Sequence, residues 1–238
     1  MGRSGTTLID KLLSNHPQID VLSQPFPLVF IYLKKKYLET LGSKQYYVLN
    51  EHLNDNNFSQ DTFNKFLENI NLEACDLKNL FNEMKNYSGQ STKPDNYKLE
   101  FSKNLLGFDK IYKASLSLFN LNNSKFVGSK EIMCEEFLPY FIKNDFKTIL
   151  VYRDPRDVVA SINYPKQIKY FGPKKPTLFI LRTSKKSIKY LNFLRANKNF
   201  CSIKYEDLVN KPYESLKKVV NFLELVQFEN NYFDKAIL

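Results

Sequence analysis

The sequence predicts an α/β protein built on a parallel sheet, on three observations. Short runs of β-forming residues at 19–22, 125–128, 146–152 and 200–204 alternate with longer stretches of helical periodicity. The run at 146–152, FKTILVY, is almost continuously apolar, the pattern of a strand covered on both faces. Directly after it, Asp154-Pro155-Arg156-Asp157 carries the signals that start a helix: an N-capping carboxylate, proline at the first helical position and a further acid in the first turn. A buried strand handing over to a capped helix is the repeating joint of a parallel sheet with crossover helices.

Taken in order, the chain opens on the turn Gly2-Arg3-Ser4-Gly5-Thr6-Thr7, followed by a helix with Leu8, Ile9, Leu12 and Leu13 on one stripe. Asn15-His16-Pro17 ends that helix, because proline disfavours helical geometry in the residue before it. A short strand is expected at 19–22 and a helix from 26 to 41. Residues 44–98 are polar, rich in Asn and broken by Ser88-Gly89 and Pro94, so they read as an insert or lid with short helices at 61–71 and 76–86. Leu105, Phe108, Tyr112, Leu116 and Phe119 recur at helical spacing within 99–121. Further helices are expected at 133–143, 177–197 and 212–225, giving one domain over 1–238.

Composition narrows the classes. The 238 residues carry a net charge of +10, 20 Phe, 15 Tyr and no Trp, enough aromatic bulk for a sizeable core. The charge favours anionic ligands, but the basic residues are scattered and form no recognisable reading module, so nucleic acid is not expected as a partner. Cys75, Cys134 and Cys201 lie far apart, an odd and unpaired set that suits a reducing, cytoplasmic compartment. With only His16 and His52, a histidine-built metal site is not expected. No apolar run reaches the ~18 residues that a membrane-spanning helix needs, and the opening residues are not expected to act as a signal peptide.

Two segments carry chemistry. In the first turn, small residues let backbone N–H groups close around an anion while the following helix adds partial positive charge. Arg3 offers a planar fork for phosphate or sulfate oxygens, and Ser4, Thr6 and Thr7 offer hydroxyls. The spacing is not that of an ATP-hydrolysing loop, since two residues separate Gly2 from Gly5 and no Lys follows. In the second segment, Arg153 stands at the carboxyl end of the buried strand, where open α/β sheets bind ligands. Ser161 follows two turns along the next helix, so one elongated ligand can use both. Arg156 is expected to pair with neighbouring carboxylates instead.

Together these segments resemble the sulfotransferases that use 3′-phosphoadenosine 5′-phosphosulfate (PAPS). GRSGTTLIDKLLSNHP is similar to their 5′-phosphosulfate loop and first helix, and RDPRDVVAS to their 3′-phosphate segment, with the same spacing of eight from Arg153 to Ser161. Ile203-Lys204-Tyr205-Glu206-Asp207-Leu208 resembles the family's YEDL strand end, and Pro212 with Phe222-Leu223 its closing helix. The resemblance covers roughly 2–24 and 125–225. It implies a three-layer, P-loop-like fold, no metal, and transfer of a sulfuryl group to a hydroxyl or amine. It implies that Arg3, Ser4, Gly5, Thr6 and Thr7 hold the 5′-phosphosulfate, that Arg153 and Ser161 hold the 3′-phosphate, and that Tyr205 lines the adenosine. By the same resemblance, Arg3 and Lys130 would act in catalysis.

The departures are specific. Where some relatives place a carboxylate base after the first helix, this chain has Gln24, so Glu131 becomes the candidate base. The family's loop follows a central hydrophobic strand, whereas this chain opens on the loop, so the first strand is expected to be missing and the chain to be incomplete at its ends. The GxxGxWK segment of cytosolic relatives is also missing. Two rival readings stand beside the enzyme: a P-loop nucleotide or sugar kinase with Asp154 holding magnesium, and a truncated, inactive binder of anionic nucleotide or glycan. The acceptor is not legible.

Overall fold

A computed structural model describes residues 4–42, 58–84, 105–117, 119, 124–164 and 174–225. Its elements in chain order are α1 (Thr6–Ser14), β1 (Ile19–Ser23), α2 (Pro27–Thr40), α3 (Gln60–Asn69), β2 (Asn71–Leu72), α4 (Ala74–Met84), β3 (Leu105–Leu106), α5 (Phe108–Ser117) and β4 (Phe126–Lys130). There follow α6 (Leu138–Lys143), β5 (Thr148–Tyr152), α7 (Pro155–Asn163), α8 (Thr177–Leu194), β6 (Phe200–Lys204), α9 (Tyr205–Asn210) and α10 (Pro212–Leu223). This is the expected mixed α/β architecture, with parallel strands flanked by helices. The chain divides into two compact units, one of residues 1–16 with 141–238 and one of residues 17–140.

In the first unit β5 and β6 pair in parallel, Thr148 opposite Phe200 through Tyr152 opposite Lys204. Parallel neighbours need a crossover, and α7 and α8 supply it. The α7 start follows its sequence signals: the Asp154 carboxylate accepts the Arg156 N–H at 2.8 Å, and Pro155 occupies the first helical position. Val158 and Ile180 are fully buried where α7 meets α8, with Val159, Ile162 and Phe179 packed around them. Helix α10 buries Leu216, Val219, Val220 and Leu223 on one stripe and ends at Glu224, whose φ of 54° breaks the helix.

In the second unit β1 and β4 are parallel partners, Ile19 opposite Phe126 through Ser23 opposite Lys130. Much of the chain's phenylalanine is spent on the core of this unit. Phe30 and Phe137 meet edge to face at 4.8 Å, Tyr37 and Phe63 at 4.9 Å, and Phe63 and Phe137 at 5.0 Å. Phe63 and Leu67 of α3, and Leu77, Phe81 and Met84 of α4, are fully buried. These two helices therefore contribute to the core of their unit. Their Asn and Lys residues lie on the opposite faces, which is why their composition reads as peripheral.

One helix is shorter than expected. The helix expected over 99–121 runs over Phe108–Ser117, and residues 99–104 lie outside the described residues. Just before it, Leu105 and Leu106 pair antiparallel with Leu72 and Asn71, a ladder too short to show periodicity. β6 stops at Lys204, as the run at 200–204 predicts, and Tyr205 of the YEDL segment opens α9.

Candidate active site

In the first unit, α1 begins after Gly5, which takes a left-handed φ of 89° and leaves the helix without a side-chain cap. Leu8 N and Ile9 N donate to the Gly5 carbonyl at 3.0 and 3.3 Å, so the amides of Thr6 and Thr7 precede the first intrahelical bond. Ser4 is fully buried, Thr6 half-buried and Thr7 exposed. Of the loop hydroxyls, then, those of Thr6 and Thr7 are the ones open to a ligand. Arg3 lies outside the described residues.

Tyr205 joins the loop to the strand ends. A Cβ built on Gly5 would lie 2.0 Å from Cδ2 of the Tyr205 ring, so only glycine fits beside it. The Arg153 guanidinium carbon sits 4.3 Å from the centroid of the same ring, a cation–π contact that presents the group as a flat fork. Arg153 Nε is also 4.0 Å from Asp157 Oδ2, one turn along α7. Gly5 and Arg153 are thus brought together on the Tyr205 ring. Ser161 is half-buried on α7, eight residues beyond Arg153.

The Asp154-Pro155 joint is fixed from two sides. Arg156 Nη2 lies 2.6 Å from Asp154 Oδ2, and this partner holds the Asp154 carboxyl low, at about 2. Arg156 therefore pairs with a carboxylate as expected, and Asp154 is occupied as cap and ion-pair partner, which weakens the kinase reading that gave it to magnesium. From the other side, Asp154 N donates to Glu206 Oε1 at 2.9 Å. Sequence reasoning misses Glu206. Its only signal is an acid directly after Tyr205, and nothing local says that it reaches 52 residues back to the Asp154 amide.

In the second unit the carboxyl ends of β1 and β4 carry the other candidates. The chain leaves β1 at Gln24 with φ of 46°, and Gln24 N donates to the Lys130 carbonyl at 2.7 Å. Lys130 Nζ returns a bond to Gln24 Oε1 at 3.1 Å. Gln24 thus orients the candidate lysine through its amide oxygen. Glu131 Oε1 accepts the Phe26 N–H at 2.8 Å, tying the end of β4 to the start of α2. Burial pushes the Glu131 carboxyl up to about 8, against the opposing effects of the Phe26 amide, the Lys130 charge and Ser129.

That shift makes a prediction with a definite sign. Glu131 binds its proton more tightly in the folded chain than in the unfolded one. The stability this adds is complete below about pH 4.5 and is lost as pH rises through about 8. A glutamine side chain at this position keeps an acceptor for the Phe26 amide but cannot ionise. Glu131→Gln is therefore expected to flatten the fall in melting temperature over that range. Equal pH slopes for the two proteins would show that the carboxyl is not held protonated.

Known proteins share this architecture. The family model described as "Sulfotransferase domain" matches residues 1–236. The chain belongs to the sulfotransferase domain family. Among solved structures, the chain resembles the sulfotransferase domain from the curacin biosynthetic pathway, at 23% identity and a TM-score of 0.50, over 97% of this chain and 73% of that one. It also matches the sulfotransferase domain from the Synechococcus PCC 7002 olefin synthase, at 18% identity and a TM-score of 0.45, over 97% and 72%. The first likeness supports the fold. No curated protein sequence matches the chain. No helix among the described residues is long and apolar enough to cross a membrane.

Proposed function

We propose that this sulfotransferase draws its sulfuryl group from PAPS and passes it to a hydroxyl or amine. The observation that carries this reading is the packing of Gly5, Tyr205 and Arg153, which puts a bare helix N-terminus and a stacked guanidinium on one aromatic ring. Such a set suits a nucleotide with anionic groups at two positions. The amides of Thr6 and Thr7 and their hydroxyls fit the 5′-phosphosulfate, and Arg153 with Ser161 fits the 3′-phosphate. Tyr205 fits the adenosine side, and Arg3, two residues before Gly5 in the sequence, is the proposed further cation for the 5′ end.

When bound, the donor supplies a sulfur that gains a bond to the acceptor oxygen or nitrogen as its bond to the 5′-phosphate oxygen breaks. The chain's own task is to place positive charge and take one proton. Lys130, steered by the Gln24 amide oxygen, is the proposed cation for the charge that develops in that step. Glu131 is the proposed acceptor of the proton. With a carboxyl at about 8, its basic form grows as pH rises, so turnover is expected to climb through that range and to lose the dependence in Glu131→Gln.

The test is release of 3′-phosphoadenosine 5′-phosphate from PAPS on adding a panel of hydroxyl and amine acceptors, without metal. Lys130→Ala is expected to lower turnover on the order of 10²-fold while donor affinity changes by less than about threefold. No release with any acceptor, from a protein that still binds the donor, would favour the inactive binder.

A further inference from the structure

Helix α8 presents an outer face that the proposed activity does not use. Its inner side is closed by Ile180, Thr183, Ser184, Ser187, Tyr190 and Leu194, all buried. On its outer side Leu178 is 61% exposed, Leu181 44%, Ile188 42% and Phe193 69%. Leu178, Leu181, Lys185, Ile188 and Asn192 follow one another at steps of three, four, three and four, the seam of a helix that packs along another helix. Lys185 and Asn192 stand at the third and fifth places of the seam, where a polar residue fixes register. Arg182 and Lys189, seven apart, line its edge, and the 18 residues of α8 contain no Asp or Glu.

Those features choose among occupants. A second copy packed along the same seam would set cation against cation, and like charges so placed repel. A bilayer favours apolar and basic residues on separate arcs of a helix, whereas here Lys185 lies within the apolar stripe between Leu181 and Ile188. A partner helix with leucine-like residues at matching steps and carboxylates on its flanks answers both the seam and its edge. We propose that the outer face of α8 is a docking surface for an acidic amphipathic helix of another protein. One helix face is a small interface, so the contact is a transient one.

The probe is a synthetic peptide as long as α8, with leucines at three-four spacing and glutamates beside them, labelled for fluorescence anisotropy against the full chain. A peptide of the same composition in scrambled order and one with lysines for glutamates serve as comparisons. The acidic peptide is expected to bind, more weakly as salt rises, and to lose about tenfold or more in affinity with Leu181→Asp/Ile188→Asp. The pair Arg182→Glu/Lys189→Glu should reverse the preference towards the lysine peptide, so that the proposal is still tested if the first variant fails to fold. Equal binding of the scrambled peptide, or affinities unmoved by both variants, would overturn it. So would co-sedimentation with phosphatidylserine vesicles in place of peptide binding, or a dimer in sedimentation that Leu181→Asp/Ile188→Asp dissolves.

Discussion

Gly5→Ala is expected to cost this protein both stability and donor binding, out of proportion to one added methyl. An alanine at φ of 89° bears left-handed strain of ~1–2 kcal/mol. Its Cβ would also fall 2.0 Å from the Tyr205 ring, where crowding adds ~1–3 kcal/mol. Together these predict a loss of ~2–5 kcal/mol, or a melting temperature lower by roughly 4–20 °C for a chain of this size. Gly42 separates the two causes. It has a similar φ of 73° but nothing within 4 Å of where its Cβ would be, so Gly42→Ala should show the strain alone. Thermal melting of the two variants, with donor titration of each, checks this. Matching losses would mean that the Tyr205 contact does not constrain the loop.

Arg153→Ala is expected to weaken donor binding by ~2–4 kcal/mol, roughly 30- to 800-fold, through loss of a charge-assisted contact. The loss should be specific: large for adenosine nucleotides with a 3′-phosphate and small for those without. Arg153→Lys should recover only part of it, since an ammonium neither lies flat on the Tyr205 ring nor offers two parallel donors. Ser161→Ala should cost less, roughly 1 kcal/mol. A titration in which Arg153→Ala binds the 3′-phosphorylated nucleotide like the parent would move that subsite elsewhere.

What the sequence shows of this molecule is what neighbours along the chain decide. Asp154 and Pro155 mark the start of α7 because a cap and a fixed φ act within one turn. The apolar run ending at Tyr152 gives β5, and the stripe of Leu12, Leu13 and Ile9 gives α1. The loop with Gly5 and the strand-end Arg153, proposed as the anion-binding groups, stand out in the sequence for the same local reason. Contacts between distant segments left no such trace. The bond from Asp154 N to Glu206 spans 52 residues, that from Phe26 N to Glu131 spans 105, and that from Lys130 to Gln24 spans 106. Lys34 is another case. An ordinary surface lysine in the sequence, it is 2% exposed, lies 3.5 Å from the equally buried Glu136 and donates to the Met133 carbonyl. Nothing in α2 alone foretells a buried cation, because its partners arrive about 100 residues later.

The central claim is that this chain reads the 3′-phosphate of its donor, and calorimetry tests it most directly. The purified chain should be titrated, without magnesium, with 3′-phosphoadenosine 5′-phosphate, adenosine 5′-phosphate and ATP in parallel. The account predicts that the 3′-phosphorylated nucleotide binds more tightly than the other two by on the order of 10²-fold, the worth of one charge-assisted, two-pronged contact at Arg153. Equal affinity for nucleotides with and without the 3′-phosphate, or binding of ATP that strengthens with magnesium, would contradict it.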